Sequence, residues 1–275
     1  MSRSRKTNGS SSPVKVYLSF KGGKGVVEYY NKDHKDADEK GKVHLSSLDF
    51  VVLDTKASIS GFNEGSNSGV NSNFLDTRDL KEKDFIVKTK EKGGSYGEVL
   101  RGKYQEIKSA ARDFGGKFTT NIFALADVGN GFEVVKLELN GSGLTPWIKF
   151  GEDKKDHEIE DKLITISKGQ LMKRSAGKNV PFSDKDYAAL VAKLKKDPMA
   201  DKPVLFYEPK FEAVDLSTEL AEQAMVADEV LQDYLDEIMG ANSSAKSGDV
   251  TEEAEGQDSG EPESSGVSDD DDLPF

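Results

Sequence analysis

The chain of 275 residues contains no cysteine. It therefore has no disulfide framework, no thiolate zinc site and no cysteine nucleophile. No apolar run approaches the ~20 residues that a membrane-spanning helix needs. Residues 1–13 are polar and basic and lack the apolar core of a secretory signal. These absences predict a cytoplasmic protein.

The sequence also offers little for metal or phosphate chemistry. Its three histidines are His34, His44 and His157, and none has an HxxxH or HExxH spacing. The glycine-rich segment 20–25 lacks the Gly-Lys-Ser/Thr ending of a phosphate loop and precedes a β-rich run, which favours a hairpin turn. We therefore expect a protein that is not an enzyme and has no cofactor and no metal.

The formal net charge of −12 is unevenly distributed. Residues 1–215 hold 37 basic and 32 acidic side chains, a net of +5. Residues 216–240 hold seven acids and no base, and residues 241–275 hold eleven acids and one base. A mildly basic body thus precedes a strongly acidic C-terminal part, so the overall acidity does not argue against nucleic acid as a ligand.

The body, residues 14–215, is predicted to be mainly β with a few helices. Apolar and polar residues alternate from Val14 to Phe20, and the clearest hairpin joins 118–126 to 132–139 across glycines 129 and 131. Helices are predicted at 98–114 and, behind a Ser183 cap, at 184–196. Eight or nine short strands in all indicate an elaborated β-barrel or sandwich. The other predicted strands are 26–30, 48–53, 57–62, 85–89, 144–150, 163–167 and 204–207, with a flexible loop at 61–73.

Three segments flank or follow this body. Residues 1–13 form a basic, serine-rich arm that is predicted to be disordered. Residues 216–240 repeat apolar positions at intervals of three and four opposite an acidic face, which predicts an acidic amphipathic helix that Gly240 ends. Residues 241–275 are dominated by Gly, Ser, Glu and Asp and are predicted to be a disordered acidic tail.

The tail closes with a distinctive tip, which reads Asp269, Asp270, Asp271, Asp272, Leu273, Pro274 and Phe275. Phe275 can fill a small apolar pocket while its α-carboxylate pairs with a basic side chain, and the aspartates can meet a basic surface. The alternative is a solubilising tail with an incidental apolar end. The tip resembles that of bacterial and phage single-stranded DNA-binding proteins, which reads Asp-Asp-Asp-Ile/Leu-Pro-Phe. The resemblance covers these seven residues and the style of the linker.

This resemblance implies a fold and a set of partners. The body would be an OB-fold barrel, and its length is more similar to an enlarged phage version than to the bacterial housekeeping protein. The protein would bind single-stranded DNA during replication, recombination or repair. Its tip would dock into enzymes of those processes, in the cytoplasm of the infected host cell.

Binding a single strand without sequence preference requires basic groups interleaved with aromatic faces. The body offers such material, although each lysine also suits a solvated surface, and Trp147 and Phe150 also suit the core. Tyr29 and Tyr30 are adjacent, so only one of them can face the core. The candidate DNA-binding residues are Lys21, Lys24, Tyr30, Lys88, Lys90, Tyr96, Arg101, Trp147, Lys149, Lys173 and Arg174.

Two other functions remain open on the sequence. One is a protein-interaction adaptor that does not bind DNA and whose acidic tail mimics nucleic acid. The other is a hydrolytic enzyme with acidic catalytic residues, for which we find no motif. The sequence also leaves open the oligomeric state, the number of nucleotides covered, the preference for DNA or RNA, and the partner enzymes.

Overall fold

The computed structural model describes residues 12–90, 94–129, 131–153, 159–175, 178–197, 199–200 and 202–244. Strands dominate it, as the sequence predicts, and four helices are interspersed. The strands are β1 (Val16–Lys21), β2 (Val26–Tyr30), β3 (Lys42–Leu45), β4 (Ser47–Asn63), β5 (Ser68–Ser72), β6 (Leu75–Asp76), β7 (Phe85–Lys90), β8 (Tyr96–Gly102), β9 (Gly116–Asp127), β10 (Phe132–Leu139), β11 (Lys162–Ser175), β12 (Lys178–Pro181) and β13 (Leu205–Asp215). The helices are α1 (Tyr104–Asp113), α2 (Leu144–Asp153), α3 (Asp184–Lys196) and α4 (Thr218–Ser244).

The long strand β4 is the centre of the sheet. One of its edges pairs with β9, while the other pairs with β11 in its first half and with β6 and β5 in its second half. The pairing with β9 shifts register between Val52 and Asp54, which marks a bulge. The bulge lets one strand run through the two segments, 48–53 and 57–62, that the sequence predicted as separate strands.

The strands around β4 have a Greek-key order. β4, β9 and β10 are antiparallel neighbours in that order, with β5–β8 and α1 inserted between the first two. α2 follows β10, and β11 then returns to lie beside β4. The spatial order is therefore fourth, first, second, third, which defines a Greek key. Strand β13 extends it by pairing with β11.

The N-terminal hairpin extends the other side of this arrangement. Strand β1 pairs with β10 in parallel, and β2 and β3 follow in antiparallel pairing. The pairing leaves the sheet open, but the backbone N–H of Tyr207 on β13 donates to the carbonyl oxygen of Gly22 at 2.8 Å. The β1–β2 turn thus contacts the strand at the far end of the Greek key.

The main core lies inside the curved sheet and is covered by α2. Leu18, Phe50, Leu137 and Ile164 are fully buried there, in contact with residues of seven strands. The sequence prediction that 144–150 continues as a strand is wrong, because Leu144, Trp147 and Phe150 recur every third residue and form the buried face of α2. A strand would have turned Trp147 and Phe150 to opposite faces of the sheet.

A second core lies between the latter half of β4 and helix α1. Its centre is a cluster of aromatic rings in which Phe85, Tyr104 and Phe118 meet edge to face, with centroids 4.9–6.3 Å apart. The predicted helix 98–114 starts late, because residues 96–102 form β8 and only Tyr104–Asp113 is helical. The predicted loop 61–73 is also corrected, since it contains the end of β4 and all of β5.

The outer face of the Greek key packs against α4. Leu220, Ala224, Leu231 and Leu235 are buried against apolar side chains of β4, β9 and β10. The amide of Gln232 also donates to Asp54 of β4, at 3.3 Å. The helix continues through Gly240 to Ser244, beyond its predicted end.

Helix α3 agrees with the prediction at both ends. It spans Asp184–Lys196, and the Ser183 side chain accepts a hydrogen bond from the backbone N–H of Asp186 at 3.2 Å. Asp186 reciprocates at the Ser183 backbone, which completes a capping box.

Candidate nucleic-acid interface

The predicted DNA-binding residues fall into four groups on different elements. The first group lies on the β1–β2 hairpin, the second on the β7–β8 hairpin, the third at the end of β11, and the fourth on α2. The β7–β8 hairpin and the N-terminal hairpin stand toward opposite ends of the strand order. The structure therefore does not gather the predicted residues into one patch.

The first group surrounds the glycine turn between β1 and β2. Gly25 has a φ of +67°, and a Cβ there would lie 2.9 Å from the Lys168 side chain and 3.0 Å from Tyr207, so the turn favours glycine. Lys24 is exposed and lies 3.7 Å from Glu28, and Lys21 is half-buried. Lys168 adds a cation that the sequence analysis missed, with its Nζ 3.9 Å from the centroid of the Tyr207 ring. The turn is thus a basic corner held in place by β13.

The second group lies on the β7–β8 hairpin. Lys88 and Lys90 are exposed, and Tyr96, whose side chain is 52% exposed, stands opposite Lys90 in the register. The amide of Asn71 donates to the Tyr96 hydroxyl at 3.2 Å. This arrangement holds an open aromatic face beside a lysine, as a stacking site requires.

Arg101, on the same hairpin, is already paired. Its guanidinium donates to both carboxylate oxygens of Glu98, at 2.9 and 2.8 Å. The hydrogen bond from Arg101 holds the pKa of the Glu98 carboxyl below its ordinary value. A phosphate would have to compete with this carboxylate for the guanidinium.

The third group stands where β11 enters its connection to β13. Lys173 and Arg174 are half-buried, and the Arg174 guanidinium donates to the Asn179 side chain at 3.0 Å. Lys173 pairs in register with both Val180 of β12 and Leu205 of β13. Both cations therefore sit on paired backbone and not on an irregular loop.

Trp147, in the fourth group, does not belong to a surface. Its side chain is 8% exposed, stacks on Phe150 with centroids 5.8 Å apart, and meets Phe211 edge to face at 5.2 Å. Both of its faces lie within the core, so the sequence prediction of a stacking residue is corrected. Lys149 is exposed on the other side of α2 and remains a candidate phosphate contact.

The structure adds exposed aromatic residues that the sequence analysis did not select. They are Tyr17 at 41% exposure, Phe132 at 43% and Tyr187 at 48%. The exposure of Tyr17 could have been predicted from the sequence, because it lies between the inward-facing residues Val16 and Leu18 in a strand and so points outward. Nothing in the sequence near Phe132 or Tyr187 distinguishes an exposed ring from a buried one.

A buried ionic cluster lies under α4. The Lys56 ammonium is 2.8 Å from Asp54 and 2.6 Å from Asp76. Burial alone would lower the pKa of Lys56, but the hydrogen bonds and the charge interactions with the two aspartates together outweigh burial and raise it. The hydrogen bond from Lys56 in turn lowers the pKa of Asp76. Because the buried ammonium is paired with both carboxylates, we assign this cluster to stability and not to ligand binding.

A groove and a short sequence motif in the described part of the chain bear on other activities. A groove of about 580 Å³ beside the β9–β10 turn is lined by three aspartates, Asp36, Asp49 and Asp127, and by His34 and Lys35. The aspartates outnumber the lysine, so the charge of the groove disfavours phosphate. Ser95 stands in a Gly-x-Ser-x-Gly spacing, but it lies in a β-hairpin and not at the strand-to-helix turn of a hydrolase nucleophile. Within the described residues, no group of three or more His, Asp or Glu side chains could hold a metal ion. No helix in that part of the chain is long and apolar enough to cross a membrane.

The predicted partner-binding tip, Asp269–Phe275, lies outside the described residues, as do most of the basic arm and the acidic tail. Comparisons of the chain with protein families, with curated proteins and with solved structures found no match. A function must therefore be argued from this chain alone.

Proposed function

We propose that this protein binds single-stranded DNA, without enzymatic activity, and coats and protects it during phage DNA replication, recombination or repair. The acidic tip recruits partner enzymes. The proposal rests mainly on the positions of the predicted basic and aromatic residues relative to the strands of the Greek key. An OB-fold is a five-stranded, partly open Greek-key barrel, and its second and third strands and two of its connections contact oligonucleotides. Taken in chain order, β4, β9, β10, β11 and β13 have a connectivity that fits this fold.

The two connections carry predicted contacts. The connection between the first and second strands, β4 and β9, contains the β7–β8 hairpin with Lys88, Lys90 and Tyr96. The connection between the fourth and fifth strands, β11 and β13, begins beside Lys173 and Arg174. These are the connections that contact oligonucleotides in OB-folds. This coincidence supports the proposal, because the residues were selected from charge and aromatic content alone.

The charge distribution supports the same function. A body of net +5 attracts a phosphate backbone, whereas residues 216–240 and 241–275, at −7 and −10, repel it. The acidic tail can therefore compete with DNA for the basic groups of its own body. DNA that displaces the tail would leave Asp269–Phe275 accessible to a partner protein.

Helix α4 limits where the strand can run. It covers Val51, Leu125 and Val134 on the outer face of β4, β9 and β10, and the segment it belongs to carries seven acids and no base. Each buried leucine contributes about 1.5–3 kcal/mol, so undocking the helix would cost more than a few phosphate contacts return. The strand is therefore excluded from the part of this face that α4 covers.

A titration of labelled oligo-dT at two salt concentrations tests the proposal. We expect tight binding at low salt that weakens as salt rises, with a log–log slope of about −0.7 for each phosphate neutralised. Absence of binding at low salt would refute the proposal and favour the protein-interaction adaptor. The control is a duplex of the same length, whose paired bases cannot stack on protein rings.

A further inference from the structure

The N-terminal hairpin carries two exposed tyrosines on one face. Tyr17 of β1 is 41% exposed and Tyr30 of β2 is 56% exposed. Leu18 pairs with Tyr29 in the antiparallel register, so Tyr17 and Tyr30 occupy the next opposed position. Since Leu18 and Tyr29 are buried in the core, strand alternation turns Tyr17 and Tyr30 to the outer face. Side chains at opposed positions have Cβ atoms about 5 Å apart.

A lysine stands on each side of this pair. Tyr30 pairs in register with Lys42 of β3, and Tyr17 pairs with Lys136 of β10. The Lys136 Nζ lies 5.0 Å from the centroid of the Tyr17 ring. Four neighbouring strands therefore carry a row of Lys42, Tyr30, Tyr17 and Lys136 across the outer face of the sheet.

Helix α4 ends this row on one side. The position beyond Lys136 in the register is Phe123, which is buried in the apolar cluster under α4. The tyrosine pair lies on the hairpin side of that boundary and remains exposed. The two exposed tyrosines of the row thus lie beside the part of the face from which the acidic helix excludes DNA, whereas the Lys136 and Lys42 side chains are only 13% and 23% exposed.

We propose that Tyr17 and Tyr30 form a platform on which two neighbouring bases of a single strand stack. This inference rests on the proposed function. Aromatic rings stack on any base, so the two exposed rings carry the proposal. The flanking ammonium groups are already paired, Lys136 with Glu138 at 2.7 Å and Lys42 with Glu28 at 3.1 Å, and a phosphate would have to compete with these carboxylates. The strand crosses the hairpin roughly perpendicular to β1 and β2, in the direction of the row. The platform lies on the N-terminal hairpin, outside the five Greek-key strands.

Tyrosine substitutions in the full chain test the platform. Tyr17→Leu and Tyr30→Leu should each weaken oligo-dT binding about 5- to 150-fold, the range measured for loss of one stacked base. Tyr17→Phe and Tyr30→Phe keep the ring and should bind as the unaltered protein does. The matched control is Tyr187→Leu, which removes a tyrosine of similar exposure on α3 and should leave affinity unchanged. Thermal melts of all variants check that the fold is retained.

A second measurement needs no variant. Oligonucleotides that carry a photoreactive uracil are crosslinked to the unaltered protein, and the modified peptides are mapped. We expect adducts at Tyr17 and Tyr30. Adducts confined to other elements would overturn the platform even if a leucine variant failed to fold.

The outcomes separate this inference from the function on which it rests. An unaltered protein that fails to bind oligo-dT overturns both. If it binds and the leucine variants bind equally well, the platform is wrong and the function stands. Loss of affinity in the phenylalanine variants, or an equal loss in Tyr187→Leu, would overturn stacking at this pair. Leucine variants that retain DNA binding but lose a protein partner would assign the pair to a protein interface and overturn the proposal.

Discussion

Replacement of Trp147 by alanine should destabilise the protein without a specific effect on DNA binding. The indole is 8% exposed and contacts Phe50, Phe150 and Phe211, at ring-centroid distances of 6.4, 5.8 and 5.2 Å. Truncation would open a cavity between α2 and the sheet, and such a change costs about 3–5 kcal/mol. For a chain of this size that loss lowers the melting temperature by about 6–20 °C.

Thermal and urea denaturation measure this loss, and oligo-dT titration well below the melting temperature measures binding. Tyr96→Ala is the matched control, because its ring is 52% exposed and its removal should leave the melting temperature nearly unchanged. The reasoning would be refuted if Trp147→Ala melted like the unaltered protein and bound DNA less tightly. That result would indicate that Trp147 contacts DNA, as the sequence analysis predicted.

Four further predictions concern the ionic cluster, the close approach of Gly115 to β4, and the tail. Lys56→Met should cost about 3–5 kcal/mol, because it leaves two aspartates without their buried partner; a loss below 1 kcal/mol in urea denaturation would contradict this. The pKa of Asp76 is lowered from its ordinary value of 3.8, so its ion pair with Lys56 stabilises the folded state at pH values above 3.8 and is lost as the pH falls further. The unaltered protein and Lys56→Met should therefore approach the same free energy of unfolding in acid; a difference between them that does not change with pH would argue against the pair. Gly115→Ala should destabilise the protein by more than 1 kcal/mol, since the φ of Gly115 is +81° and a Cβ there would collide with the carbonyl oxygen of Phe62 in β4; an unchanged melting temperature would contradict this close approach. Deletion of residues 245–275 should tighten oligo-dT binding, most at low salt, because it removes the competing negative charge. Phe275→Ala should leave the affinity for oligo-dT unchanged and abolish pull-down of replication enzymes. If Phe275→Ala retains every partner, docking at the tip is refuted.

The parts of the fold that depend on local pattern could be predicted from the sequence. β9 and β10 pair as the predicted hairpin, and the Asp127 carboxylate accepts hydrogen bonds from the backbone N–H groups of Gly129 and Gly131 in its turn. Helix α3 and its Ser183 cap were likewise predicted, because a capping box lies entirely within four residues.

Elements that depend on distant contacts were predicted less well. Helix α2 is short and rich in aromatic residues, and its buried face becomes clear only when the core of the sheet is known to lie beneath it. The bulge in β4 lies in its pairing with β9, where Val52 faces Ala124, and the return of β11 to the other edge of β4 joins residues more than 100 positions apart. No local pattern encodes such pairings.

The candidate site shows the same division. Charge and ring content identified Lys88, Lys90 and Tyr96 as surface candidates, and the structure leaves all three exposed. The same reasoning selected Trp147, because residue type does not reveal burial. It overlooked Tyr17, whose exposure follows from alternation but whose pairing with Tyr30 requires the register of β1 and β2.

A competition experiment tests most directly whether the body recognises single strands by charge and stacking. Labelled oligo-dT is bound to the full chain at low salt and displaced with unlabelled single strands of different sequence or with duplex of equal length. We predict that single strands of any sequence displace the label at similar concentrations and that duplex displaces it poorly, because only unpaired bases can stack. Displacement by duplex as effective as by single strands, or a thousandfold preference for one sequence, would contradict the account.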